Sequence, residues 1–264
     1  MQWFFGYSGN ASGWFKEMIK VAVISSRKHT TLQPNCLYDG QGDEVIDWLS
    51  RNGVTIHRTA VPFREELFSD KVLQVNEGTP YRPDNASGHF LRLMVPDYSE
   101  GEYSLYTDCD VMFSQEPKFQ EIDTFGACAE LDSNGMPAIS SFNSGVMVIN
   151  NDQFSRERDG LVAFIRDHNF YNRAHSSYDQ ALLNMYFKGK WSLLPQTLNW
   201  RPWQGINRDA EIIHFHGPKP QRISAILEGK GLAGEAHLEN YINRDIQSYQ
   251  EYVQQFQNHL AADK

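Results

Sequence analysis

Apolar positions along the chain fall into short blocks separated by polar stretches rich in glycine and proline. Gln2–Ser8 is an apolar run interrupted at Gly6 and closed by Gly9, and it predicts a strand entering a loop. In Trp14–Lys28, Phe15, Met18, Ile19 and Ala22 share one helical face. Val21–Ile24 has strand character by itself, but the length of the segment favours a helix. Cys36–Tyr38 predicts a short strand ended by Asp39-Gly40. Asp43–Arg51 predicts a helix with Asp43 as N-cap and Gly53 just past its end. Val54–Ala60 is again strand-like, Pro80–Ser87 reads as a turn-rich loop, and His89–Met94 as a helix. Tyr103–Thr107 predicts a buried strand ending at Asp108-Cys109-Asp110, and Ser141–Asn150 contains a second apolar strand. Tyr178–Phe187 is helical, Leu193–Leu198 extended, and Ile212–Phe215 a strand running into Gly217-Pro218-Lys219-Pro220. Beyond Gly234 the pattern is polar, rich in Gln and Asn, and helical. Strand–helix alternation of this kind predicts an α/β fold with a mostly parallel central sheet flanked by helices. One domain is expected over residues 1–220, with a helical C-terminal segment over 221–264 packed on it.

Composition narrows the class. The 264 residues are 41% hydrophobic and 22% charged, an ordinary globular balance that excludes wholesale disorder. Lys and Arg total 24 against 33 Asp and Glu, a net charge of −9, which argues against a nucleic-acid partner. The longest apolar stretches, Val21–Ile24 and Val146–Ile149, fall far short of the ~18–20 residues needed to cross a bilayer. Met1–Gly13 has neither a basic n-region nor a long h-region, and the C-terminal segment has no polybasic cluster. Cysteines 36, 109 and 128 form no C-x-x-C spacing, which excludes a disulfide framework and a zinc ribbon. A cytoplasmic protein is expected. The N-x-S triplets at Asn10 and Asn85 are at chance frequency. On so acidic a chain an anionic small ligand needs a local device, such as a metal ion, a lysine or a glycine-rich turn, to hold its charge.

Several constellations offer such a device. In extended backbone Asp108 and Asp110 point to one side and Cys109 to the other, so both carboxylates face one cation, and hard oxygen ligands suit Mg²⁺ or Mn²⁺. Seventeen aspartates supply about one D-x-D by chance, so its place at the end of a buried strand carries the weight. His214, ending an apolar strand before Gly217 and Lys219, reads either as a metal ligand beside a phosphate-binding cation or as a strand-end histidine bonded to a carbonyl. With His216 it also makes an H-x-H zinc pair, but no cysteine or third histidine is near in sequence. Asn143 is a site residue or a turn residue, and Asp179 a site residue or a helix cap. Trp200-Arg201-Pro202-Trp203 is either a sugar platform or packing beneath a proline-stiffened loop.

The order of these blocks decides among the readings. Arg92-Leu93, then Leu105–Asp110, Phe142–Asn150, Asp179-Gln180 with Leu183-Asn184, Leu194-Pro195 with Asn199, and His214–Pro220 together resemble the family-8 retaining glycosyltransferases. That group includes glycogenin and the bacterial lipopolysaccharide galactosyl- and glucosyltransferases. The resemblance implies a GT-A-type nucleotide-sugar-binding domain. It implies that Asp108, Asp110 and His214 hold Mn²⁺, or Mg²⁺, on the diphosphate of a UDP-sugar. Gly217 and Lys219 match the turn that grips the diphosphate, and Arg92 a basic residue near the donor. Asn143, Asp179 and Gln180 match positions around the donor sugar, with Gln180 beside the anomeric carbon, and Glu130 stands where the family often has an aspartate. The chain departs from the family in having only Pro218 between Gly217 and Lys219-Pro220, and in Gln221 where tryptophan is usual. The residues that often contact uracil are not evident in Gly6–Asn10.

Read this way, the chain is a hexosyltransferase, with glucose or galactose the expected sugar and a glycan or glycoconjugate hydroxyl the acceptor. Asp179 and Gln180 are its expected catalytic residues, acting on an oxocarbenium-like anomeric centre. Two other classes compete. One is a metal-dependent nucleotide-sugar hydrolase, which puts water where the acceptor binds. The other is a non-catalytic nucleotide- or carbohydrate-binding protein, against which a complete Asp108–Asp110–His214 set argues.

Overall fold

A computed structural model describes residues 1–9, 13–132, 135–175, 177–228, 230 and 236–263. Asn10 of the first N-x-S triplet and Gly234, from which the helical tail was expected, lie outside the described residues. Strand β1 (Gln2–Tyr7) precedes helix α1 (Gly13–His29), and β2 (Gln33–Tyr38), α2 (Glu44–Arg51) and β3 (Thr55–Arg58) follow. Short helices α3 (Arg64–Leu67), α4 (Asp70–Val75), α5 (Pro83–Phe90) and α6 (Val95–Tyr98) lead to β4 (Tyr103–Thr107) and β5 (Val111–Phe113). Next come β6 (Phe125–Leu131), β7 (Pro137–Asn150), α7 (Asn151–Asp167), α8 (Asp179–Tyr186), β8 (Ser192–Leu194) and β9 (Ile212–His214). The last helices are α9 (Pro220–Leu227), α10 (Ala236–Ile242) and α11 (Ile246–Ala261).

The chain divides into two compact units, the first made of residues 1–11, 33–108 and 120–194. It holds a seven-stranded sheet in the order β3-β2-β1-β4-β7-β6-β8. The β1–β2, β2–β3, β1–β4 and β6–β8 pairs are parallel, whereas β7 runs antiparallel to both β4 and β6. The sheet is therefore mostly parallel, as the alternation predicts. The chain builds outward from β1 through β2 to β3 and then resumes on the other side with β4. The ends of β1 and β4 thus flank a topological switch point, the usual ligand site of an open α/β sheet. Phe4, Phe90, Phe125, Phe142, Met147, Ile149, Phe154, Leu182 and Phe187 belong to one buried core.

The second unit, residues 12–32, 109–119 and 195–264, pairs β5 with β9 antiparallel, Val111 opposite His214. Helix α1 packs against β5 and α11. The strand-like run Val21–Ile24 is helical because much of this helix is enclosed, with Val21, Ala22, Val23, Ser25 and Ser26 all buried.

Local signals account for several boundaries. Asp43 caps α2, its Oδ1 accepting from the Val45 and Ile46 amides at 2.9 and 3.0 Å, and Gly53 follows with φ +65°. The expected loop over Pro80–Ser87 is corrected to α5, because Pro83 stands in the first turn, where its missing N–H is not needed. Gly88 within α5 answers a close approach, since a Cβ there would meet Ser8 Oγ at 2.9 Å. The expected helix His89–Met94 is the end of α5 followed by a 3₁₀ turn over Leu91–Met94; Pro96, with no N–H to bond back to Arg92, restarts the helix at Val95. The extended run predicted for Leu193–Leu198 stops at Leu194 and becomes a 3₁₀ turn over Gln196–Asn199. Cys36, Cys109 and Cys128 are all buried, and none of them forms a disulfide. Among the described residues no helix is long and apolar enough to cross a membrane.

Candidate functional site

In the first unit the site begins where β4 stops. Asp108 leaves the strand, and its amide donates to Gly145 O of β7 at 2.8 Å. Arg92, on the 3₁₀ turn and 1% exposed, donates to Asp108 Oδ1 at 2.8 Å and to Asp179 Oδ2 at 2.9 Å. It also donates to the Ser144 carbonyl and, at 3.0 Å, to His89 O, and it lies over the Tyr106 ring. A guanidinium buried this completely needs such pairing to offset its lost hydration. Asp179 is the first residue of α8, and Tyr178 is the N-cap. Its carboxylate does not cap the helix; it takes Arg92, Ser144 Oγ at 3.2 Å, and His89 Nδ1 at 3.4 Å. Burial acts to raise the Asp179 carboxyl, but Arg92 and His89 outweigh it and hold it far below the usual range. For His89 burial acts to lower the imidazole, and the Asp179 carboxylate raises it instead.

Beside Asp179, Gln180 closes a ring of side chains. Its Nε2 donates to Glu130 Oε2 at 3.1 Å, while its Oε1 accepts from Asn143 Nδ2 at 2.9 Å and the Ser144 amide at 3.1 Å. Asn143 Nδ2 also reaches Glu130 Oε2 at 3.2 Å, and its Oδ1 accepts from the Gly145 amide at 3.1 Å. Asn143 is therefore not a turn residue ahead of a strand; it sits buried within β7, opposite Cys128 of β6. Register irregularities at Ala127/Cys128 and Ala129/Glu130 re-aim the end of β6 that carries Glu130.

In the second unit Asp110 faces His214 and Lys219. Asp108-Cys109-Asp110 forms a bend between β4 and β5, which corrects the expected extended backbone. Asp110, 9% exposed, has Oδ1 3.3 Å from His214 Nε2, and its Oδ2 accepts from Lys219 Nζ. The Phe215 amide donates to Asp110 O at 2.9 Å and fixes the main chain. Burial acts to raise the Asp110 carboxyl, and Lys219 with His214 outweighs it and holds it well below the usual range. Gly217, with φ +88°, turns the chain after β9 in a conformation that disfavours any side chain, and Lys219 then stands at the N-cap position of α9, its Nζ donating to Phe215 O at 2.9 Å. His214 Nδ1 lies 2.8 Å from Asn199 Oδ1.

Sequence motifs thus identify residues that each unit gathers: Arg92, Asp108, Glu130, Asn143, Asp179 and Gln180 in the first, and Asp110, His214, Gly217 and Lys219 in the second. Sequence reasoning gives no role to His89, Ser144 or Asn199. Ser144 lies inside a singled-out block, and Asn199 sits at a fixed offset from Leu194-Pro195, but no local pattern announces His89. Trp200–Trp203 is packed and not an open platform, with Arg201 2% and Trp203 8% exposed and Trp200 Nε1 bonded to Gly205 O at 2.8 Å.

Residues 17–220 match the family described as glycosyl transferase family 8. Among curated proteins, the chain is 27% identical over 155 residues to glycosyltransferase GlyB of Streptococcus pneumoniae serotype 4, covering 51% of this chain and 38% of that protein. It is 31% identical over 132 residues to the probable glycosyl transferase Gly of Streptococcus gordonii, covering 45% and 18%. The chain spans well under half the length of these relatives. Among solved structures it resembles the galactosyltransferase LgtC in complex with donor and acceptor sugar analogs, with a TM-score of 0.62, 17% identity, and 92% of this chain and 95% of that one covered. It also resembles the glycosyltransferase GlyE of Streptococcus pneumoniae TIGR4, with a TM-score of 0.58, 17% identity, and 96% and 63% coverage. At these identities the likeness establishes the fold, which is of the GT-A type.

Proposed function

The chain belongs to glycosyl transferase family 8, and on that premise we propose that it moves a hexose, glucose or galactose, from a UDP-sugar to a hydroxyl of a carbohydrate or glycoconjugate acceptor with retention at the anomeric carbon. Asp108, Asp110 and His214 are the proposed ligands of a divalent cation on the donor diphosphate. Two carboxylates and an imidazole suit Mn²⁺ and admit Mg²⁺. The observation that carries this reading is Asp110, a buried carboxylate held ionised beside an imidazole nitrogen and an ammonium. Such a group is built for a cation and an anion to meet beside it.

Cleaving the sugar–phosphate bond places extra negative charge on the departing diphosphate. A bound cation supplies Lewis-acid stabilisation of that charge. Lys219 adds a second positive charge, and the Gly217 turn lets the main chain come close to the phosphates. On the sugar side Asp179 and Gln180 face the anomeric centre as it becomes oxocarbenium-like, while Asn143 and Glu130 take donor hydroxyls. Arg92 keeps the donor side in order by gripping Asp108 and Asp179 with one guanidinium.

The test is a screen of UDP-glucose, UDP-galactose and other nucleotide-sugars with and without Mn²⁺, in wild type and in Asp110→Asn and His214→Ala. Asp110→Asn, nearly isosteric, is expected to keep the fold and lose about 10²-fold or more in turnover. His214→Ala is expected to weaken Mn²⁺ binding. Wild-type affinity for Mn²⁺–UDP in both variants would remove the metal assignment. Full turnover without any acceptor would identify a hydrolase instead.

A further inference from the structure

We infer that Asn199 is the positioning residue that makes His214 a nitrogen ligand, by taking the proton of Nδ1 and leaving the Nε2 lone pair aimed at Asp110. The inference rests on the metal-dependent reading above and concerns a residue that reading does not use. His214 is 1% exposed, so its ring finds its partners inside the protein. A neutral imidazole has one nitrogen that donates and one that accepts, and the partner of the first decides the state of the second. Asn199 Oδ1, 2.8 Å from Nδ1, can only accept, so the hydrogen lies on Nδ1. When Nε2 carries no proton, its lone pair points at Asp110 Oδ1, itself an acceptor 3.3 Å away. Two acceptors turned toward each other at that distance call for positive charge between them, a proton in the metal-free chain or a metal ion that takes its place. The hydrogen bond from Lys219 goes to the other carboxylate oxygen, Oδ2.

The main chain holds Asn199 to this task. It ends the 3₁₀ turn Gln196–Asn199 and is itself 1% exposed. Its neighbour Trp200 brackets β9, with its amide donating to Ile212 O at 3.0 Å and its carbonyl accepting from the His214 amide at 2.8 Å. Thr197 O accepts from the Glu211 amide at 2.8 Å one turn earlier. The Asn199 amide and the His214 ring are thus set opposite each other by backbone pairing, before either side chain contributes. A fixed outer partner that selects the tautomer and ring orientation of a ligating histidine is typically worth 10–100-fold in metal affinity.

The experiment titrates the full chain with Mn²⁺ alone, following loss of the free-ion electron paramagnetic resonance signal, and records melting temperatures in parallel. Asn199→Leu, similar in size but with no acceptor, is expected to weaken Mn²⁺ binding by about 10–100-fold. Asn199→Asp, which can only accept, is expected to bind Mn²⁺ at least as tightly as wild type. A purely structural asparagine would lower the melting temperature in both variants and leave Mn²⁺ affinity unchanged, which would overturn the inference. Should Asn199→Leu not fold, Asn199→Asp decides alone, since weaker binding there means that the amide donates to the ring. Absence of Mn²⁺ binding in wild type would instead overturn the metal reading, and the inference with it.

Discussion

Lys219 rests its ammonium on Asp110, the carboxylate proposed to share a divalent cation. One group therefore has two partners to serve. With no diphosphate bound it rests on Asp110, and under the proposed function a bound diphosphate would draw it to phosphate. Lys219→Ala is accordingly expected to bind Mn²⁺ alone several-fold more tightly, because a competing cation is gone, and to bind UDP more weakly. Uridine affinity should stay nearly unchanged. Calorimetry with Mn²⁺, UDP and uridine separates these effects, and equal losses for UDP and uridine would place Lys219 away from the diphosphate. Asp179 is tested by charge. Its carboxylate serves Arg92, His89 and Ser144, so Asp179→Asn removes a charge from a buried guanidinium. A loss of about 2 kcal/mol in stability is expected, together with a large fall in kcat. Near-normal turnover with an unchanged melting temperature would exclude Asp179 from the site.

Elements differ in how plainly they announce themselves. Helix α7 carries both of its signals, an Asn150 side chain accepting from the Gln153 amide at 3.2 Å and a buried face of Phe154, Leu161, Val162 and Ile165. Strand β6 carries almost none. Its sequence FGACAEL is small-residue rich and weak in intrinsic strand preference, and Gly126 leaves room for Leu194, whose Cδ2 a Cβ there would meet at 2.8 Å. The α1–α11 contact has a pH response of its own. His259 of α11 is buried with its ring edge-on to His29 of α1, centroids 5.5 Å apart. Burial first, then Lys28 and His29, push the His259 imidazole down to about 4. An unfolded histidine titrates near 6.5, so the unfolded chain takes up protons first as pH falls. Stability is then retained above about pH 6.5 and lost as pH falls through about 4. The melting temperature is expected to drop between pH 7.5 and 4.5, and to drop less in His259→Phe. Parallel slopes for the two proteins would show that this contact is not responsible. His89, raised by Asp179, contributes with the opposite sign, its stabilisation fading as pH rises, so the variant comparison is needed to isolate His259.

For the whole molecule, the amino-acid sequence by itself determined the α/β class, the mostly parallel sheet, the order of the motif blocks and through them the family. It also named nearly every residue that the two clusters use. These features are legible because periodicity, caps and turn chemistry act over a few residues, and because a buried polar residue stands out in an apolar block. Asp43 as a cap, Asn143 inside β7 and His214 at the end of β9 were all available in that way. Only the tertiary structure decided which partner each residue serves. Arg92 meets Asp179 across 87 positions and Asn143 meets Gln180 across 37, while Asn199 finds His214 only because backbone pairing lays one beside the other. It also turned the Asp108–Asp110 pair into a bend, placed β6, and converted the Pro80–Ser87 loop into a helix whose end supplies His89. The physical reason is that a side chain's partner is set by whatever sheet order and register bring next to it. Sheet order is in turn set by the burial of all the strands together, which no short window of residues contains.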